Sequence, residues 1–147
     1  MSASGMTEQR NTKARLDDQL TATVYSHTVP DATELPRDQT SGAILPYVVL
    51  KFAGPIPTKR GRGIAQGEDK QPQVMAAQAL CYAYDSDDLD ELVDTVVGAL
   101  LGWAPSDNAT AYSSAGGYAF STASPTNKPT RLEQAISFQC MLNQSIL

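Results

Sequence analysis

The sequence predicts an α+β fold, a small mixed or antiparallel β-sheet with helices packed on it. Three patterns predict it. Residues 45–52 are β-branched, aromatic and apolar on both faces, residues 88–101 repeat their apolar side chains at helical spacing, and residues 132–142 alternate with period two. At 147 residues the chain has the size of one domain, large enough to bury about two-thirds of its unfolded surface. Its Gly, Pro, Ser and Thr residues crowd into stretches that read as loop or tail.

Residues 1–11 are polar and unpatterned and read as a flexible N-terminal arm. The rest, 12–147, reads as a single domain with long loops at 53–72 and 104–130. Residues 13–20 can make two helical turns, but Ala14, Leu16 and Leu20 supply only a thin apolar stripe. In residues 21–29, Thr23, Tyr25 and His27 alternate with Ala22, Val24 and Ser26, a strand that Pro30 ends. Pro36, Gly42 and many polar residues make 31–43 a loop.

Residues 45–52 are apolar on both faces around Val48, Val49 and Leu50, which suits the interior of a sheet. Gly54, Pro55 and Pro57 are expected to stop this strand, because proline cannot donate to a ladder. Residues 73–84 contain enough alanine to favour a helix. They also alternate, with Met75, Ala77, Ala79, Cys81 and Ala83 on one face. A face of such small residues lets a helix approach a sheet closely, and strand is the reading adopted.

Asp88 and Glu91 form a capping-box pattern at a helix start, where carboxylates also complement the helix dipole. Leu89, Leu92, Val93, Val96, Val97, Leu100 and Leu101 follow as one buried face, and Gly102 is placed to end the helix in a left-handed conformation. Asp90, Glu91, Asp94 and Thr95 are left on the outer face. Trp103 reads as closing the core over the end of this helix, with an interface anchor as the alternative. Residues 104–130 are rich in small and polar residues around a short Tyr118-Ala119-Phe120 run. Leu132, Ile136, Phe138, Cys140 and Leu142 then mark a half-buried strand.

The chemistry-bearing residues are sparse. His27 is the single histidine, on a strand without a partner for proton transfer. Cys81 and Cys140 lie in strands and read as small buried hydrophobes; with His27 they show no metal-ligand spacing. The acidic run from Asp85 to Asp90 lacks the glycine of a calcium loop and continues directly into the helix. Lys59-Arg60-Gly61-Arg62-Gly63 lacks the Walker arrangement and does not open a helix. Tyr47, Tyr82, Tyr84, Tyr112 and Tyr118 are not interleaved with basic residues as in a stacking platform. The expectation is a protein that is not an enzyme and takes no cofactor or metal.

A net charge of −5 and a pI near 4.7 argue against a dedicated nucleic-acid binder, whose affinity depends on neutralising phosphates. The sign is uneven along the chain. Asp85, Asp87, Asp88, Asp90, Glu91 and Asp94 crowd one segment and Lys59, Arg60 and Arg62 another, which permits complementary contact between copies. No run approaches the roughly 18 apolar residues of a membrane span, and the first residues lack the apolar core of a secretory signal. A soluble protein that is not secreted by that route is expected.

Several short strings, in their order, resemble the tail terminator proteins of long-tailed (siphovirus-type) phages of actinobacterial hosts. They are Val29-Pro30, Leu35-Pro36-Arg37, Leu45-Pro46-Tyr47-Val48-Val49-Leu50, Gly54-Pro55, Arg60-Gly61-Arg62-Gly63, Gln71-Pro72, the strand through Cys81, Ala99-Leu100-Leu101-Gly102-Trp103 and Phe138-Gln139-Cys140. The likeness spans about residues 22–143. The resemblance implies a small α+β fold assembled into a homohexameric ring in the virion tail or neck. Such a ring caps the tail tube, stops its polymerisation and presents the surface for head-to-tail joining. Its partners would be further copies of itself, the tail tube protein and the head-completion or neck proteins, with DNA only passing through the lumen. It implies no catalytic residues; Lys59, Arg60, Arg62, Asp90, Asp94 and Trp103 are the candidate interface residues. The alternatives are another neck component, such as a connector or stopper, a tail tube subunit, and, in a different class, a small-ligand-binding module.

Overall fold

The computed structural model describes residues 5–27, 34–57, 70–115, 119–121 and 131–145. The elements in chain order are α1 (Met6–Gln19), β1 (Thr23–Ser26), β2 (Tyr47–Pro57), β3 (Lys70–Ala83), α2 (Ser86–Leu100), β4 (Ser113–Ser114), β5 (Ala119–Ser121) and β6 (Leu132–Ser145). The strands form a six-stranded sheet in the order β1-β2-β3-β6, with β4 and β5 sharing the outer side of β6. β4 pairs with Phe138 and Gln139, and β5 pairs with residues from Glu133 to Ala135. β1 runs parallel to β2 and the other pairs are antiparallel, so the sheet is mixed. With two helices on one face, this is the α+β class that the sequence predicts.

Residues 73–83 are strand, not helix, as their alternation indicates. β3 pairs along its whole length with β6, from Lys70↔Ser145 to Ala83↔Leu132, and with β2 through Tyr47↔Tyr82 and Leu50↔Ala79. On its even face Val74, Gln78 and Leu80 are half-buried, Ala76 is exposed and Tyr82 is buried, while Met75, Ala77, Ala79, Cys81 and Ala83 are buried under the helices. Val24, Val48, Leu50, Ile136, Phe138, Cys140 and Leu142 complete that face, and Leu16 of α1 with Leu89, Leu92, Val93, Val96 and Leu100 of α2 packs on it. The small side chains at the centre of the sheet make room for two helices at once.

The opposite face carries a smaller cluster. Tyr47 and Val49 of β2 and Tyr82 of β3 pack with Leu35 and Ile44 from the segment between β1 and β2. The Tyr47 and Tyr82 rings stack with centroids 4.6 Å apart, and Tyr25 meets Tyr47 edge-on at 5.9 Å. The Arg131 guanidinium lies 5.7 Å from the Tyr82 ring centre. Burial of β2 on both faces accounts for its unbroken apolar run. Beyond this cluster the same sheet face is open, with Lys51, Ala53, Ala76, Gln139 and Met141 exposed.

Four expectations are corrected. β2 does not stop at Gly54; it continues to Pro57. The register shifts by one residue between Ala53 and Ile56, so Gly54 and Pro55 lie in a bulge where no ladder N–H is required. The loop expected at 53–72 is therefore bounded by Pro57 and Lys70, and residues 58–69 lie outside the described residues. The loop expected at 104–130 contains β4 and β5, and Thr110 N–H donates to the Met141 carbonyl (2.9 Å) so that this segment lies along β6. Leu101, expected in the buried helix face, is 47% exposed because α2 ends at Leu100.

The fourth correction concerns the N-terminus. Residues 6–11, expected in a flexible arm, belong to α1. Its buried stripe is Glu8, Thr12 and Leu16, spaced by four, two of them polar. Ser106 donates to the Glu8 carboxylate (2.6 Å), the Asn11 amide donates to the Pro105 carbonyl (2.7 Å), and Arg15 Nε donates to the Ala99 carbonyl (3.0 Å). Thr12 Oγ1 donates to the Glu8 carbonyl (2.7 Å) and lies 2.7 Å from the Tyr112 hydroxyl. A threonine hydroxyl has one hydrogen, so Tyr112 is the donor in the second bond, and burial holds its phenol protonated well above the usual range. Gly5, at φ +71°, starts the helix where an added Cβ would meet Met75 Sδ and Pro55 Cδ at 3.3 Å.

Two outcomes follow from this packing. Thr12→Val leaves the buried Tyr112 hydroxyl without its acceptor and should cost about 1–3 kcal/mol in urea unfolding, and adding Tyr112→Phe should recover part of it. Burial pushes the Cys81 thiol up to about 12 and the Cys140 thiol to about 11. Neither should react with a thiol reagent near pH 8 until the protein is unfolded, whereas fast labelling of the native protein would contradict the packing.

Candidate interaction surface

The start of α2 sits at the end of the sheet where β3 finishes and β2 begins. Asp85, in extended conformation, is the N-cap, and its carboxylate accepts from the Asp88 N–H at 2.8 Å. The expected Asp88–Glu91 capping box is therefore displaced: the cap lies three residues earlier. This frees two side chains. Among the described residues the Asp88 and Glu91 carboxylates have no hydrogen bond or ion pair.

Asp88 and Glu91 instead line a groove of about 440 Å³ between α2, the α1–β1 turn and the segment leading into β2. Leu20, Ala22, Pro36, Leu45 and Leu92 give it apolar walls. A second depression of about 520 Å³ adjoins it, shares Leu45, Pro46 and Asp88, and adds Asp38, Tyr84 and Asp85. Among the described residues no basic side chain lines either one. Asp38 is held by its own turn, where the N–H groups of Ser41 and Thr40 lower its pKa and keep it ionised. Leu45 and Tyr84 are 43% and 52% exposed, unusual for large apolar side chains beside a core. The surface combines unneutralised carboxylates with uncovered hydrocarbon, features of a contact site for a basic, partly apolar segment.

The expected interface residues are dispersed. Asp90 and Asp94 are exposed on α2, one turn apart and turned away from the groove. Trp103 lies past the far end of α2, half-buried, with the Arg15 guanidinium 5.4 Å from its ring centre and Tyr112 stacked at 6.3 Å. Gly102, at φ +83°, makes the left-handed turn that brings Trp103 back over the core. Lys59, Arg60 and Arg62 lie outside the described residues. Asp88, Glu91, Leu45 and Tyr84 were not singled out as interface residues. The two carboxylates looked committed to capping, and Leu45 to the buried strand that in fact begins at Tyr47.

Among the described residues no group of three or more His, Cys, Asp or Glu side chains could hold a metal ion, and no helix is long and apolar enough to cross a membrane. His27 is exposed, 5.6 Å from the Phe52 ring. No protein-family model matches the chain, and no curated protein matches it.

The shifted cap is directly measurable. Asp85→Ala should cost about 1 kcal/mol and lower Tm by a few degrees. Glu91→Ala, which a capping box at Asp88 would make comparably harmful, should change stability by less than about 0.5 kcal/mol.

Proposed function

We propose that this protein is a structural virion component, a tail terminator whose copies form a ring on the end of the tail tube, stop its growth and offer the joining surface for the head. The observation that carries the reading is the segregation of charge along the sheet. The unneutralised carboxylates of α2 lie at one end, and the sequence's Lys59-Arg60-Gly61-Arg62 run is attached at the other, beyond Pro57. β3 spans 14 residues between them, roughly 45 Å at the rise of an antiparallel strand. Segments of opposite charge joined to opposite ends of one sheet favour head-to-tail contact between copies, and head-to-tail contact closes into rings when the rotation allows. The small mixed sheet backed by two helices agrees with the fold that the resemblance to tail terminators implies.

In this role the ring would contact tube subunits on one side and neck proteins on the other, with DNA passing through a lumen that an acidic protein does not grip. A small-ligand-binding module is the second reading, favoured by the groove of about 440 Å³, a volume within the range of ligand pockets. A ligand-dependent rise in Tm would support it.

Native mass spectrometry of the purified protein should show a closed hexamer. Added to polymerising tail tube protein, it should shorten the tubes and sit at their ends by negative-stain microscopy. A monomer at every concentration that leaves tube length unchanged would refute the proposal.

A further inference from the structure

We infer that the groove at the start of α2 is the docking site for residues 58–65 of a neighbouring copy, with Lys59, Arg60 and Arg62 meeting Asp88 and Glu91 of the next chain. The inference rests on the reading that copies of this chain assemble, and specifies the contact that joins them.

The groove's needs define its occupant. Two carboxylates without a partner among the described residues call for cations, and exposed Leu45 and Tyr84 call for hydrocarbon or a guanidinium face. The segment Thr58-Lys59-Arg60-Gly61-Arg62-Gly63-Ile64-Ala65 carries three cations, no acid and one large apolar side chain. Arg10, Lys13 and Arg15 form a second cluster without an acid, but it is built into α1, where Lys13 pairs with Asp17 and Arg15 donates to the Ala99 carbonyl and lies over the Trp103 ring. The remaining basic residues are dispersed.

The same segment cannot serve its own groove. It leaves the sheet at Pro57, and β2 runs 11 residues from there back to Tyr47 beside the groove, roughly 35 Å. Arg62 is five residues past Pro57, so even a fully extended chain returns it by about 17 Å. An arginine side chain does not close the remaining gap. The cations of one copy must therefore find another copy's carboxylates. Because the donor end and the acceptor end are different surfaces, the contact is heterologous and leaves each end of a pair open for a further copy.

Charge exchange tests this in the full-length chain. Arg60→Glu with Arg62→Glu, and separately Asp88→Lys with Glu91→Lys, should each weaken self-association in sedimentation velocity by at least about tenfold. Combining all four should restore it to within about threefold, and wild-type association should fall as salt rises. All four positions lie on the surface or outside the described residues, and unchanged circular dichroism and Tm would show that the fold is kept. Association that survives both pairs, that is lost in both and not regained in combination, or that is absent from the wild type overturns the inference. A closed ring indifferent to every exchange would remove this contact and keep the ring. Open chains that obey the exchange would keep the contact and remove the terminator reading.

Discussion

The paired length of β3 is the constraint on which the rest depends. Its 14 residues are hydrogen-bonded to β6 throughout and to β2 for most of their run, so the sheet cannot shorten without losing ladder bonds on both sides. Its inward face is almost entirely alanine and cysteine after Met75. That choice thins the centre of the sheet and lets α1 and α2 settle on it side by side. The same strand acts as a spacer. It begins next to the segment that carries Lys59, Arg60 and Arg62 and ends next to the acidic start of α2. Packing and charge separation are two consequences of one element.

Much of this was legible. β2 declared itself by β-branched residues apolar on both faces, and the structure supplies the two covers that such a strand needs: helices over Val48 and Leu50, and a tyrosine cluster around Tyr47 and Val49. β6 showed through its period of two. The reading of β3 depended on weighing alternation above alanine's helix propensity, and tertiary context decided it in favour of strand. What stayed hidden was the first half of α1, which begins at Met6. Hydrophobic periodicity finds a helix by its apolar stripe, and here Glu8, Asn11, Thr12 and Arg15 hold the helix to residues 99–112 through hydrogen bonds. A polar stripe at helical spacing carries no hydropathy signal, although its i, i+3, i+4, i+7 spacing was in the sequence.

The candidate site was legible in composition and obscured in placement. The acidic and basic segments were visible as charge asymmetry, but moving the cap from Asp88 to Asp85 reassigns Asp88 and Glu91 from local structure to an open groove. Asp90 and Asp94, chosen as the outer face of the helix, are exposed and line neither of the two depressions. Trp103 follows its first reading, closing the core beneath Arg15. The function proposed for the assembly rests on the resemblance and on this geometry of charge, with the groove as the point where the two meet.

The central claim is that one copy's basic segment reaches the next copy's acidic groove. Mixing a chain carrying Arg62→Cys with a chain carrying Glu91→Cys, under mild oxidation, tests it most directly, because Cys81 and Cys140 are buried. The account predicts a disulfide-linked dimer joining the two variants, in excess over the homodimers that either forms alone. No mixed product beyond those homodimers, from chains that still associate, would contradict it.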